Sequence, residues 1–328
     1  MPARFASPRT GGIAALAAII ALLPAGLSNN YFYDVAILVG LNAIVCVGLN
    51  LLVGYAGQIS LGHAGFFGFG AYASAILSSR YGWPPLTAML GATIAVAALA
   101  FVVGRPILRL KGHYLAMATL GLGVIIYMVI ATEDKLTGGP DGMSVVPFAF
   151  GGFTLRDAHV WYWVVGALLL AAVWLSLNLI ESPAGRALRA LHGSEVGAEV
   201  VGIDAARYKV MVFVISAVFA SVAGGLNAHF AGFITPSKVT FLHSIELVTM
   251  VVFGGMASTF GAVVGAAVLT ALPQALTVFK DYEMMVFGAV MVGTMIFMPR
   301  GVVPTLARLF APRVKEALAD TSVGGRGA

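Results

Sequence analysis

Apolar runs of bilayer length recur along almost the whole 328-residue chain, and nothing constrains its fold more. A helix needs about 20 apolar residues to cross the hydrocarbon core. In lipid every backbone N–H and C=O must be satisfied inside the spanning structure, which leaves only helices and closed barrels. The runs here are too long for barrel strands and lack their alternation of roughly ten residues per segment. The expected fold is therefore an all-α polytopic membrane protein, one transmembrane domain over 1–328. A composition of 59% hydrophobic and 10% charged residues agrees. Ten spans are expected, at 13–27, 33–53, 58–79, 85–104, 113–131, 160–180, 209–231, 241–256, 261–279 and 284–298. The single Cys46 lies in one of these runs, excludes an internal disulfide or a cysteine-rich metal site, and reads as small apolar filler.

Charge orients the bundle. With the N-terminus inside, fourteen Lys and Arg fall on the cytoplasmic face, and Arg80, Lys135, Arg156, Lys238 and Lys280 on the other. That asymmetry obeys the positive-inside rule, so the net charge of +5 reflects orientation and not a nucleic-acid partner. The first run has a basic start and a short apolar core, so it reads either as a retained span or as a secretory signal peptide. Either way 33–53 runs inward and the later topology is unchanged. The polar, Gly-rich 299–328 reads as a short cytoplasmic tail, and the segment 133–157, containing LTGGPDGM, as the longest external loop, an ordered one able to meet a partner or merely to connect.

One polar island interrupts the pattern. ESPAGRALRALHGSEVGAEVVGIDAARYK, 181–209, carries eight charged side chains between two apolar runs and falls on the cytoplasmic side. Ser182 before Pro183 reads as an N-cap and first helical position, with Gly193 as the stop. Ser194 caps a second helix, where Glu195 meets the positive end, and Gly202 suits a left-handed turn after Val201. Capped helices with apolar positions at Leu188, Leu191, Val200 and Val201 form either a docking surface for a soluble partner or an ordinary connecting loop.

Dividing the ten spans into five and five inverts the second half, because the second span crosses inward and its counterpart, the seventh, crosses outward. Inverted repeats place a substrate path at their interface, beside short or Gly-interrupted helices. Two Gly-dense stretches, 54–72 and 253–267, occupy suitable places, although close helix packing accounts for most of these glycines. Packing does not account for Asn50, Gln58, Ser60 and His63, since unpaired polar groups in hydrocarbon are costly. His63 reads as a substrate ligand or as a bond to a neighbouring helix. Glu246, the one acid clearly within a span, reads as a path residue or as a structural or gating group near Lys238. His229 and His243 lie near the same face without metal-ligand spacing.

Three separated motifs, LNLLVGYAGQISLGHAGFFGFGAYASAIL, the 182–226 segment beginning SPAGRALRALHGSEVGAEVVGIDAARYK, and SIELVTMVVFGGMASTFGAVVGAAVL, resemble the bacterial branched-chain amino acid ABC transporter permease family, of the LivM kind. The likeness covers roughly 31–300. The resemblance implies a bacterial inner-membrane permease with both termini cytoplasmic, paired with a second, LivH-like permease. It further implies cytoplasmic ATP-binding subunits and a periplasmic substrate-binding protein. The role of engaging the ATPase falls on Gly185, Arg186, Arg189, Glu195, Ala198, Glu199 and Gly202. Gly197 departs from the Ala that relatives often carry, at a helix-propensity cost of about 1 kcal/mol.

The chain holds no G-x-x-x-x-G-K-[ST] loop and no Gly-Lys pair, so ATP binding is assigned to partners. No H-E-x-x-H, G-x-S-x-G or paired membrane aspartates argue for an intramembrane enzyme, and no catalytic residue, metal or cofactor is assigned. An ATP-independent secondary transporter would share the topology, but ion coupling usually uses several buried charges and Glu246 stands nearly alone. Branched-chain amino acids are the implied substrate, with urea or another small polar metabolite as the alternative.

Overall fold

A computed structural model describes residues 8–26, 29–150, 153–155 and 157–276, together with isolated positions between 285 and 305. Twelve helices follow one another among the described residues: α1 (Pro8–Gly26), α2 (Asn30–Asn50), α3 (His63–Ser79), α4 (Pro85–Ile107), α5 (His113–Thr132), α6 (Asp134–Thr137), α7 (Ala158–Glu181), α8 (Pro183–Gly193), α9 (Glu195–Val200), α10 (Ala205–Ala231), α11 (Phe241–Gly254) and α12 (Thr259–Leu276). Six of them, α1, α2, α4, α5, α7 and α10, are long and apolar enough to cross a membrane. The third, eighth and ninth expected spans correspond to shorter helices of 17, 14 and 18 residues. The tenth span and the 299–328 tail fall largely outside the described residues.

The backbone departs from the expected spans where its donors find other partners. α2 continues into a π-helical turn, Leu51–Tyr55, and then leaves the helix. Gly57 adopts φ +66°, a conformation that costs a residue with a Cβ, the Gln58 amide donates back to the Leu52 carbonyl at 3.0 Å, and the Leu61 amide donates to Thr119 Oγ1 at 3.1 Å. The expected helix from 58 therefore begins only at His63, and Gln58 and Ser60 lie on irregular backbone. Such backbone is tolerated at membrane depth where protein covers it. A second irregular stretch precedes α11, in the gap expected between the spans 209–231 and 241–256. There β4 (Phe233–Ile234) pairs antiparallel with β1 (Met143–Ser144), and a 3-10 turn, Pro236–Val239, packs Val239 against Gly68. A second two-residue ladder joins β2 (Ala149–Phe150) to β3 (Phe153–Thr154), so the 133–157 loop is ordered by short strands that an all-α reading omits.

Packing is organised around the two long central helices. α10 lies against α3 and α4, while α2 lies against α11 and α12 and also against α7. α3 packs on α4 and α11 on α12. The two short helices meet at their first turns, where the Ala64 amide donates to Ser244 Oγ at 3.1 Å. Phe66, Phe213, Leu51, Leu52 and Leu247 are fully buried in the core between these elements. At the α11–α12 crossing a methyl on Gly265 would run into the Met250 carbonyl, so glycine there lets two backbones touch. α1 sits at the periphery, tied by Arg9 to Glu181 and Asn178 and by the Tyr162 hydroxyl, which donates to the Ile20 carbonyl at 2.7 Å.

Candidate functional site

Two places gather the residues that carry chemistry: the α8–α9 element at one end of the bundle, and a cavity beside the junction of α3 and α11. α8 forms because Ser182 Oγ accepts the Gly185 amide at 3.3 Å and Pro183 fills the first turn, where its missing N–H costs nothing. Ser194 Oγ then accepts the Gly197 amide at 3.1 Å to start α9, and Gly202 leaves it with φ +85°. Ala187, Leu188 and Leu191 are buried and lay α8 against α7, α10 and the π-helical turn that ends α2. A methyl on Gly57 would stand 3.0 Å from His192 Nδ1, so α8 rests directly on the irregular stretch below α2.

The residues singled out in the island divide by direction. Gly185 and Ala198 are buried, Gly185 against the Ile180 carbonyl and Ala198 in a small cluster with Leu191 and Ala205. Arg186, Arg189, Glu199 and Gly202 are exposed. Glu195 is half-buried, 2.7 Å from Lys209 Nζ and 3.7 Å from Lys111 Nζ, and fastens α9 to the start of α10. The four apolar positions divide likewise: Leu188 and Leu191 point inward, whereas Val200 and Val201 join Val196 on the surface, exposed by 81%, 74% and 65%. Three valines on a polar element with their own supporting core make a small apolar contact face.

The intramembrane polar set also separates. His63 is fully buried, with Ser60 Oγ 2.9 Å from Nδ1 and Ser216 Oγ 2.6 Å from Nε2. Both ring nitrogens are thereby engaged between the irregular stretch and α10. Asn50 Oδ1 accepts the Ala257 amide at 3.0 Å, joining the end of α2 to the second Gly-dense stretch at the point where Ala257 takes φ +57°. Gln58 Nε2 donates to the Ala56 carbonyl at 3.1 Å. None of these four shares a cavity with Glu246.

Glu246 instead lies on α11, with Oε2 3.1 Å from His243 Nδ1, and lines a cavity of about 220 Å³. Asn42, Asn227, Lys238, Thr270 and Gln274 complete its polar lining, with Leu41, Phe67 and Met250 among the apolar walls. Asn42 Nδ2 donates to Thr270 Oγ1 at 3.0 Å, which fixes the α2–α12 wall. A carboxylate, an ammonium, an imidazole and three amides around one small chamber can hold a zwitterion through both of its charges. Asn42 and Asn227 went unnoticed in the sequence, although the rule that marks Asn50, a polar group in an apolar run, marks them equally.

LivM of Escherichia coli (strain K12), named as a high-affinity branched-chain amino acid transport permease, is 35% identical over 263 residues, 73% of this chain and 62% of that protein. LivH of Salmonella typhimurium, a permease of the same named system, is 26% identical over 249 residues, 71% of this chain and 73% of the relative. The galactose/methyl galactoside import permease MglC of Haemophilus influenzae is 25% identical over 207 residues, 60% of this chain and 61% of the relative. The chain thus spans about 62% of the length of the LivM proteins of Escherichia coli and Salmonella typhimurium. No solved structure matches it. Residues 31–295 match the model of the branched-chain amino acid transport system / permease component, and the chain is an integral membrane protein belonging to that family.

Proposed function

We propose that this protein is the permease subunit of an ATP-binding cassette importer in the bacterial inner membrane, with its termini and the 181–209 island cytoplasmic. The α8–α9 element is the surface that an ATP-hydrolysing subunit grips. A second, LivH-like permease completes the membrane core, and a periplasmic binding protein delivers substrate. The observation that carries this reading is the double-capped α8–α9 element, which sets Val196, Val200 and Val201 on its surface and, through His192, rests on the irregular stretch that follows α2. The valines give a partner an apolar hold, and the rigid caps let α8 pass force to α2.

The substrate path is the Glu246 chamber, and its chemistry suits an amino acid: Glu246 for the ammonium, Lys238 for the carboxylate and apolar walls for a branched side chain. An inverted five-plus-five repeat is supported by the packing, since α2 stands to α11 and α12 as α10 stands to α3 and α4. In that scheme α3 and α11 are counterparts, both short, both preceded by irregular backbone, and meeting at Ala64 and Ser244. The MglC likeness keeps another small polar metabolite open as cargo.

Co-expression with a LivH-like permease, an ABC-type ATPase and a periplasmic binding protein from the same source provides the test. Vesicles carrying the complex are expected to take up leucine only with ATP and the binding protein present. Val200→Asp is expected to abolish co-purification of the ATPase while leaving the melting temperature of the permease unchanged, because Val200 touches no core. Uptake that persists without ATP, or an ATPase that still binds Val200→Asp, would refute the reading.

A further inference from the structure

A cleft of about 670 Å³ opens between the end of α4 and the start of α10, well apart in sequence from the residues of the Glu246 chamber. Arg105, Arg109 and Arg207 converge on its mouth. Arg105 stacks its guanidinium 4.2 Å above the ring of Phe101, one turn deeper on α4. Among the described residues none of the three arginines forms an ion pair. One acid faces them, Asp204, and its Oδ1 is occupied in capping α10 through the Arg207 amide at 3.0 Å. The mouth therefore carries a net positive charge.

Below the arginines the chemistry changes along both helices. On α10 the stripe beginning at Arg207 continues as Met211, Val214 and Ile215, at helical spacings of four, seven and eight. On α4, Phe101 lies beneath Arg105. Both helices are long and apolar enough to span the bilayer, so the lower half of the cleft lies at hydrocarbon depth while its mouth lies at the surface. The positive-inside rule explains basic residues at helix ends, but not three of them gathered over one apolar groove. A soluble anion would have no use for the apolar extension, and a docked soluble protein would not reach it.

We propose that the α4–α10 cleft binds an anionic phospholipid, its phosphate held by Arg105, Arg109 and Arg207 and an acyl chain lying along Met211, Val214 and Ile215. The charge sequence of the groove matches that of the ligand, phosphate above and hydrocarbon below. The bound lipid fills the seam between α4 and α10 and braces one half of the bundle beside the 181–209 island.

Native mass spectrometry of the purified full chain, released from nanodiscs of phosphatidylcholine mixed with phosphatidylglycerol, provides the test. The wild type is expected to retain one phosphatidylglycerol. Removing the charges with Arg105→Gln and Arg207→Gln together is expected to weaken retention roughly 30-fold, at about five-fold for each cation near the surface. Met211→Trp keeps every charge, fills the groove and is expected to lose the lipid as well, which guards against misfolding of the double variant. Equal retention by either variant would overturn the proposal. So would protection against thermal unfolding by inorganic phosphate as strong as that by phosphatidylglycerol, which would mark a soluble-anion site. Loss of a bound ATPase without loss of lipid in the double variant would likewise overturn it, in favour of protein docking.

Discussion

Lys209 shows how far one side chain can be read in advance. Its spacing marked it as a basic residue at the cytoplasmic end of a span, yet its side chain is 2% exposed and its ammonium lies 2.7 Å from Glu195. A long-range partner cannot be read from local pattern, because Glu195 and Lys209 sit on different helices and meet only after α9 folds back on α10. Glu195, expected among the ATPase-coupling residues, also holds the island against the start of α10. Removing one member of such a pair strands the other charge, at a cost near the low end for buried pairs since Glu195 keeps some water, about 3 kcal/mol. Glu195→Gln is thus expected to lower the melting temperature of the purified protein markedly. The double change Glu195→Gln with Lys209→Met is expected to restore most of it, because no buried charge is then left unpaired. A double variant no more stable than Glu195→Gln would remove this role. His63 carries the parallel lesson: the sequence left it between substrate ligand and bond to a neighbouring helix, and no local pattern foretold the two serine hydroxyls that lie 2.9 and 2.6 Å from its ring nitrogens.

At the scale of elements, the parts written in local chemistry were legible. Ser182 with Pro183, Ser194 and Gly202 give caps and stops that depend on neighbours within four residues, and the structure places them as the spacing requires. The break between 209–231 and 241–256 was legible as a gap, and the structure ends α10 at Ala231 and starts α11 at Phe241. The irregular backbone of 58–62 was not, because hydropathy records where a segment is buried and not whether its amides bond along the chain or across to Thr119, and the shortness of α3 follows from it. Glycine content had the same ambiguity, since packing glycines and merely tolerated ones look alike in sequence, and only contact separates them. Gly265 faces the Met250 carbonyl, whereas a methyl on Gly121 in α5 would meet nothing within 4 Å. Gly265→Ala is therefore expected to cost about 2 kcal/mol by overpacking, and Gly121→Ala to be neutral or slightly stabilising through helix propensity. Thermal unfolding of both variants in one detergent decides it, and a Gly265→Ala protein as stable as Gly121→Ala would show that α11 and α12 can separate freely.

For the whole molecule, the decisive relation is between the island at one end and the Glu246 chamber within. α8 rests on the π-helical turn of α2, α2 carries Asn42 into the chamber wall, and Asn50 on the same helix holds Ala257 at the head of α12. Contacts thus run unbroken from α8 to two walls of the cavity, through α2 and through the α12 helix that carries Thr270. If the transport reading holds, the chamber must change its access when nucleotide binds at the far end, since a ligand shifts an equilibrium only through a difference between two states. The chain supplies a clean reporter, because its single cysteine, Cys46, is fully buried. Thr270→Cys, on the chamber wall, is expected to react with a membrane-impermeant maleimide added from the periplasmic side of the assembled complex. A non-hydrolysable ATP analogue is then expected to slow that reaction by about tenfold or more, equivalent to about 1.4 kcal/mol of shift between the two states. Ser237→Cys, exposed on the turn before α11, should react at one rate throughout and report that reagent access is unchanged. Equal rates at Thr270→Cys with and without nucleotide would mean that the island and the chamber are mechanically separate, and that α2 is a wall and not a lever.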